Sequence, residues 1–226
     1  MAVDLVIFDC DGVLVDSEPI GARIGATVLT SLGWELSADQ VMERFLGRSE
    51  EYFQAEVERE LGRPLPSGWD DEFEHLYDAA YATELEPVEG IVPLLDELTE
   101  RGIATCVASN GSHDKMRRTL GATGLHERFQ GRIFSAQDVP RGKPAPDLYL
   151  HAARTMGVRP GECVVVEDSP PGVAAAWAAG MHCIGYAAFT PAERLAGPGV
   201  TVCSTMAQVG DELLLAAGLV TRSSGA

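Results

Sequence analysis

Residues 5–19 read LVIFDCDGVLVDSEP, a short oily run followed at once by Asp9, Asp11 and Asp16. Four apolar residues in a row, β-branched in the middle, fit a strand buried on both faces. That is the habit of parallel sheets rather than of half-exposed antiparallel ones. The aspartates that follow then mark the carboxyl end of that strand.

The same grammar repeats downstream. Val3–Phe8, Ile103–Ala108, Ile133–Phe134, Cys163–Val166, His182–Tyr186 and Val200–Cys203 are predicted strands. Helical patterns at Ile91–Arg101, Asp114–Thr123, Pro146–Met156 and Gly172–Ala179 separate them. The alternation predicts an α/β fold, a doubly wound, Rossmann-like parallel sheet. One region breaks it. Residues 17–86 hold no convincing strand but four helical patterns, Glu18–Leu32, Asp39–Phe45, Glu50–Leu61 and Trp69–Thr83. Phe53, Val57 and Leu61 line one face of the third. An all-helical domain of residues 17–86, inserted into a core of residues 1–16 and 87–226, is expected, with hinges at Asp16–Glu18 and Pro87–Gly90. The tail TRSSGA is expected to be mobile.

Composition narrows the function. The 226 residues carry 34 acids against 17 basic residues, a net charge of −17, which argues against nucleic acid or an anionic membrane as partner. Only two lysines occur, Lys115 and Lys143. The five cysteines form no CxxC pair and mostly sit in apolar runs, so they read as buried small hydrophobes in a reducing compartment. With no signal-peptide pattern and no long apolar run, the expectation is a cytoplasmic protein, a monomer or weak oligomer. GxSxG and GxGxxG are missing, which leaves a serine hydrolase or a dinucleotide enzyme without support.

Three strands end in reactive side chains: the first in Asp9 and Asp11, IATCVA in Ser109 and Asn110, CVVV in Glu167 and Asp168. In an open parallel sheet, ligands bind outside the carboxyl ends of the strands, so these groups converge on one crevice. GKPAPD brings Lys143 to the start of a helix. Taken singly, each is as well explained by a turn or a cap. Together, acids, a hydroxyl and one lysine suit phosphoryl transfer. Carboxylates so crowded need a cation, and an all-oxygen donor set suits Mg²⁺. A carboxylate can serve as nucleophile, while Mg²⁺ and Lys143 supply positive charge and Ser109 with backbone N–H groups holds oxygens.

FDCDGVLVDSE, VASNGS, GKPAPD and VVEDSPPGVAAAWAAGM, in that order, resemble the four motifs of the haloacid dehalogenase-like hydrolase superfamily. The helical insert is similar to the cap of its β-phosphoglucomutase and phosphoglycolate phosphatase subgroup. The resemblance implies a phosphatase in which Asp9 attacks phosphorus and Asp11 is general acid, then base. It implies that Ser109 and Asn110 bind phosphate oxygens and that Lys143 pairs with phosphate and Asp9. Mg²⁺ would rest on Asp9, the Asp11 carbonyl and Asp168, with Glu167 acting directly or through water. Gly12 would let the backbone turn beneath the phosphate. Asp16 is assigned to the hinge, Gly172 and its small neighbours to packing, and Arg48 to a substrate contact in the cap. The implied substrate is a small phosphorylated metabolite, a sugar or sugar-acid phosphate such as 6-phosphogluconate or phosphoglycolate.

Two other readings compete. A phosphosugar mutase of the same subgroup would carry a His where this chain has Gly21, and a basic cap residue for a second phosphate. A phospho-accepting receiver module gathers similar groups, but on a chain about half as long and without such an insert. A dehalogenase would lack the second aspartate of DCD.

Overall fold

The computed structural model describes residues 3–46, 48, 50–69 and 73–219. Their six strands form one parallel sheet in the order β3-β2-β1-β4-β5-β6. These are β1 Leu5–Phe8, β2 Ala104–Ser109, β3 Ile133–Ser135, β4 Cys163–Glu167, β5 His182–Tyr186 and β6 Val200–Cys203. The chain builds leftward from β1 through β2 to β3, returns to the other side of β1 with β4, and then builds rightward. The order therefore reverses at β1, the place where doubly wound sheets bind ligands.

The apolar runs are continuous because both faces are covered. Every residue of β1 is buried. Val6 and Phe8 pack on one side, with Leu94 and Leu98 of α5 (Ile91–Glu100), Met116 and Leu120 of α6 (His113–Ala122), and the last helix, Met206–Ala216. Leu5 and Ile7 pack on the other, against α7 (Asp147–Thr155) and α8 (Pro170–Ala178). Alternation along the strand thus feeds two cores.

Between β1 and α5 lie four helices, α1 Glu18–Leu32, α2 Ala38–Phe45, α3 Glu50–Leu61 and α4 Glu74–Glu84. They bury a core of their own around Leu29, Trp34, Val41, Phe45 and Val57. Trp34 meets Phe45 edge-on at 6.0 Å, and Phe53 tilts against Phe45 at 4.5 Å. Ser37 and Gln40 close a reciprocal capping box on α2. A second face of the insert, with Ile20, Ile24, Val28 and Tyr81, joins the core above the sheet. The two connecting segments run side by side: the Asp16 N–H donates to Glu86 O at 3.0 Å and the Val88 N–H to Leu14 O at 3.0 Å.

Two helices depart from the sequence reading. The one expected from Trp69 begins at Glu74 among the described residues, because Trp69 sits in a turn, its N–H on Pro66 O, with its ring stacked on Phe53. The helix Met206–Ala216 was not anticipated; Met206, Val209 and Leu213 bury one stripe of it and Thr205 caps it. The expected mobile tail lies outside the described residues. No helix among the described residues is long and apolar enough to cross a membrane.

Candidate active site

Each polar strand end lands at the same edge of the sheet. Asp9 follows β1, with its N–H on Val166 O at 3.0 Å. Ser109 ends β2 and Glu167 ends β4. Lys143 arrives from the loop before α7 and joins the strands. Its ammonium lies 2.8 Å from Asp9 Oδ1 and 2.7 Å from Glu167 Oε1. All three side chains are withdrawn from solvent, Glu167 completely. An ion triad so buried is costly to assemble and costlier to break, because removing one member strands a charge.

The triad is held by further residues. Glu167 Oε1 also accepts the Tyr149 hydroxyl at 3.2 Å, and Oε2 accepts the Ser169 N–H at 2.7 Å and its hydroxyl at 2.8 Å. Lys143 Nζ lies 5.0 Å from the centre of the Tyr149 ring. Asn110, expected on the phosphate, lines the cavity and also brackets the Lys143 backbone. Its Nδ2 donates to Lys143 O at 3.1 Å and its Oδ1 accepts the Lys143 N–H at 2.9 Å. The amide thus helps to place the lysine, and its second N–H remains for a ligand in the cavity that Asn110 lines. Ser109 Oγ accepts the Gly111 N–H at 3.1 Å, which leaves its own hydroxyl hydrogen to give to a ligand.

Two glycines are dictated by the acids. Gly12 turns at φ +70°, and a Cβ there would sit 2.1 Å from Asp168 Oδ2. A Cβ on Gly172 would fall 1.7 Å from Glu167 Oε1. Gly172, expected to serve helix packing, is thus the backing of a site carboxylate.

Oxygens of Asp9, Glu167 and Asp168 come within 4.8 Å of one another, a grouping able to hold a metal ion. Burial first, with repulsion from Glu167 and Asp11 and against the pull of Lys143, raises the Asp9 carboxyl to about 6. Burial, then the neighbouring Glu167 and Asp9, pushes Asp168 well above the usual carboxylate range. Acids held in this state call for a cation, and hard oxygen donors fit Mg²⁺. Asp9 and Asp168 are the better-placed ligands, because both Glu167 oxygens already accept protein donors.

A cavity of about 1000 Å³ opens over this cluster. Asp9, Asp11, Ser109, Lys143 and Asp168 floor it. The insert roofs it with Gly21, Val41, Phe45, Leu46 and Arg48. Arg48 lies exposed, with its guanidinium carbon 4.9 Å from the centre of the Tyr52 ring. Glu18, at the start of α1, faces the same space, and burial, then Asp11, raises its carboxyl to about 7.

A family model described as haloacid dehalogenase-like hydrolase matches residues 3–180. The chain belongs to the haloacid dehalogenase-like hydrolases. Among curated members of this family, the chain is 35% identical over 211 residues to 6-phosphogluconate phosphatase of Escherichia coli (strain K12), covering 92% of this chain and 93% of that one. It is 32% identical over 201 residues to hexitol phosphatase A of the same organism, covering 84% and 85%. Among solved structures, a haloacid dehalogenase-like protein from Agrobacterium tumefaciens str. C58 superposes with a TM-score of 0.85 at 37% identity, covering 96% of this chain and all of that one.

Sequence reasoning about this hydrolase missed three site residues. Tyr149 is buried on α7 and Ser169 caps α8, and nothing in their spacing points to Glu167. Lys115 is the third: its ammonium lies 2.7 Å from Asp11 Oδ2. Its signal was rarity, as one of two lysines in the chain.

Proposed function

We propose that this phosphoric monoester hydrolase acts on a small phosphorylated sugar or sugar acid, with Asp9 as nucleophile and residues 17–86 as a cap that keeps bulk water from the reaction. The observation that carries the reading is the buried Lys143 bridging Asp9 and Glu167 beneath an open cavity. It fixes one Asp9 oxygen and leaves the other to attack phosphorus. Ser109 donates its hydroxyl to a phosphate oxygen, and Lys143 offsets charge on the transferring group. Asp11, also on the cavity floor, gives a proton to the departing oxygen and later takes one from the water that cleaves the aspartyl-phosphate. Asp9, Asp168 and the Asp11 carbonyl, backed by Glu167, would hold Mg²⁺, which would supply charge neutralisation for the phosphoryl oxygens. The mutase reading finds no imidazole at position 21, where glycine lines the cavity.

Asp9→Asn is the direct test. Phosphate release from aryl and sugar phosphates should fall by about 10⁴-fold or more while circular dichroism is unchanged. Excess chelator should silence the wild type, and added Mg²⁺ should restore it. Turnover surviving in Asp9→Asn removes the nucleophile assignment, and full activity in chelator removes the metal.

A further inference from the structure

Lys115 belongs to neither the buried triad nor the phosphate-binding groups, yet it lines the cavity. It sits in the first turn of α6, where its N–H donates to the Ser112 cap at 3.1 Å. Its carbonyl accepts the Thr119 hydroxyl at 3.1 Å. The ammonium reaches back across 104 positions of chain to Asp11 Oδ2. The two Asp11 oxygens therefore differ. Oδ2 is pinned by a charge-assisted hydrogen bond, while Oδ1 is buried and has no partner among the described residues.

We propose that Lys115 is a positioning residue for Asp11. It clamps Oδ2 and so fixes the direction of the Asp11 carboxyl at the cavity floor. An aspartate carboxyl otherwise turns freely about its terminal torsion, and either oxygen could meet the substrate. Fixing one of them converts a search into an alignment, which is where much of the rate of a proton transfer lies. The inference rests on the reading above, in which Asp11 is the acid of the first step. In that step an Asp9 oxygen bonds to phosphorus as the ester P–O bond breaks, and the proton on the Asp11 carboxyl passes to the departing oxygen. In the second step a water oxygen bonds to phosphorus, the bond between the Asp9 oxygen and phosphorus breaks, and the water's proton returns to the Asp11 carboxyl. Lys115 exchanges no atom in either step.

Leaving-group dependence in the first turnover tests this. The probes are p-nitrophenyl, phenyl and p-methoxyphenyl phosphate, which recruit a proton to increasing degrees. In Lys115→Met, release of p-nitrophenol should change less than about threefold, while release of p-methoxyphenol should fall by about thirtyfold or more. Lys115→Arg should restore the shallow dependence of the wild type. Lys115→Met added to Asp11→Asn should cost nothing further, because the lysine acts through the carboxylate. A uniform fall across the series, with unchanged slope, overturns the inference in favour of a merely structural role. A raised KM with unchanged kcat overturns it in favour of direct substrate binding. Should Lys115→Met fold poorly, Lys115→Gln carries the same comparison. Turnover retained by Asp9→Asn would instead overturn the phosphatase reading beneath it.

Discussion

The floor and the roof of the cavity are built on different principles. On the floor and just beneath it, Asp9 after β1, Glu167 at the end of β4, Lys143 before α7 and Tyr149 on α7 are polar, buried and joined to one another, and each position constrains several others. Overhead, Val41, Phe45 and Leu46 pack as an ordinary apolar surface, with Arg48 at its edge and open space beside Gly21. A wired floor fixes one chemistry, whereas a packed roof can be recut for a new substrate at little cost. The contrast can be broken at a single pair of glycines, one in each region.

Gly172→Ala carries the largest expected effect. Helix propensity favours alanine by about 1 kcal/mol at an unconstrained site. Here the new Cβ would sit 1.7 Å from a Glu167 oxygen, and that carboxylate is held by Lys143, Tyr149 and Ser169 and cannot retreat cheaply. Overpacking a fixed group should win, destabilising the fold by about 3 kcal/mol in urea denaturation and lowering kcat with it. Gly21→Ala, in α1, meets nothing within 4 Å and should stabilise by about 0.5–1 kcal/mol. Equal responses at the two sites would erase the distinction between floor and roof.

The floor was legible in the sequence wherever its logic is carried by a strand end. Continuous apolar runs announce a parallel sheet, and in such a sheet Asp9, Ser109, Glu167 and Asp168 can only gather at one edge. What was not legible is how the gathered groups choose partners. Asn110 reads as a phosphate donor because it follows Ser109, but nothing in the sequence shows that its amide also grips the Lys143 backbone 33 positions away. Lys115 pairs with Asp11 only because α6 lies against β1, a fact of packing and not of spacing. The helix Met206–Ala216 escaped notice for a related reason. Its buried stripe is narrow and its central Gly210 weakens the pattern, yet α5 accepts it closely.

Glu18 stands between the two regions and tests the boundary through pH. Its folded value of about 7 lies above the ordinary 4.5, raised first by burial and next by Asp11. Below pH 4.5 both folded and unfolded chains keep the proton, and burial of the neutral acid costs little. Between 4.5 and 7 the unfolded chain releases its proton first, so stability falls as pH rises. Glu18→Gln removes that loss. The variant should match the metal-free wild type at pH 4.5 and exceed it by about 2 kcal/mol at pH 8. A gain equal at both pH values would place the effect in packing rather than in charge.

The smallest effect concerns the roof alone. Arg48 is the cation among the roof residues named above, stacked on Tyr52 where it can meet the far end of a substrate. A phosphate seated on the floor leaves that far end to distinguish a sugar acid, which carries a carboxylate, from a sugar alcohol, which does not. Arg48→Ala should therefore raise KM about tenfold, some 1.4 kcal/mol, for 6-phosphogluconate, and leave KM for a hexitol phosphate within about twofold. The kcat for both should hold, because the floor is untouched. If both KM values rise together, Arg48 shapes the roof without reading charge. If kcat falls instead, the roof participates in the chemistry, and the division between the two regions is wrong.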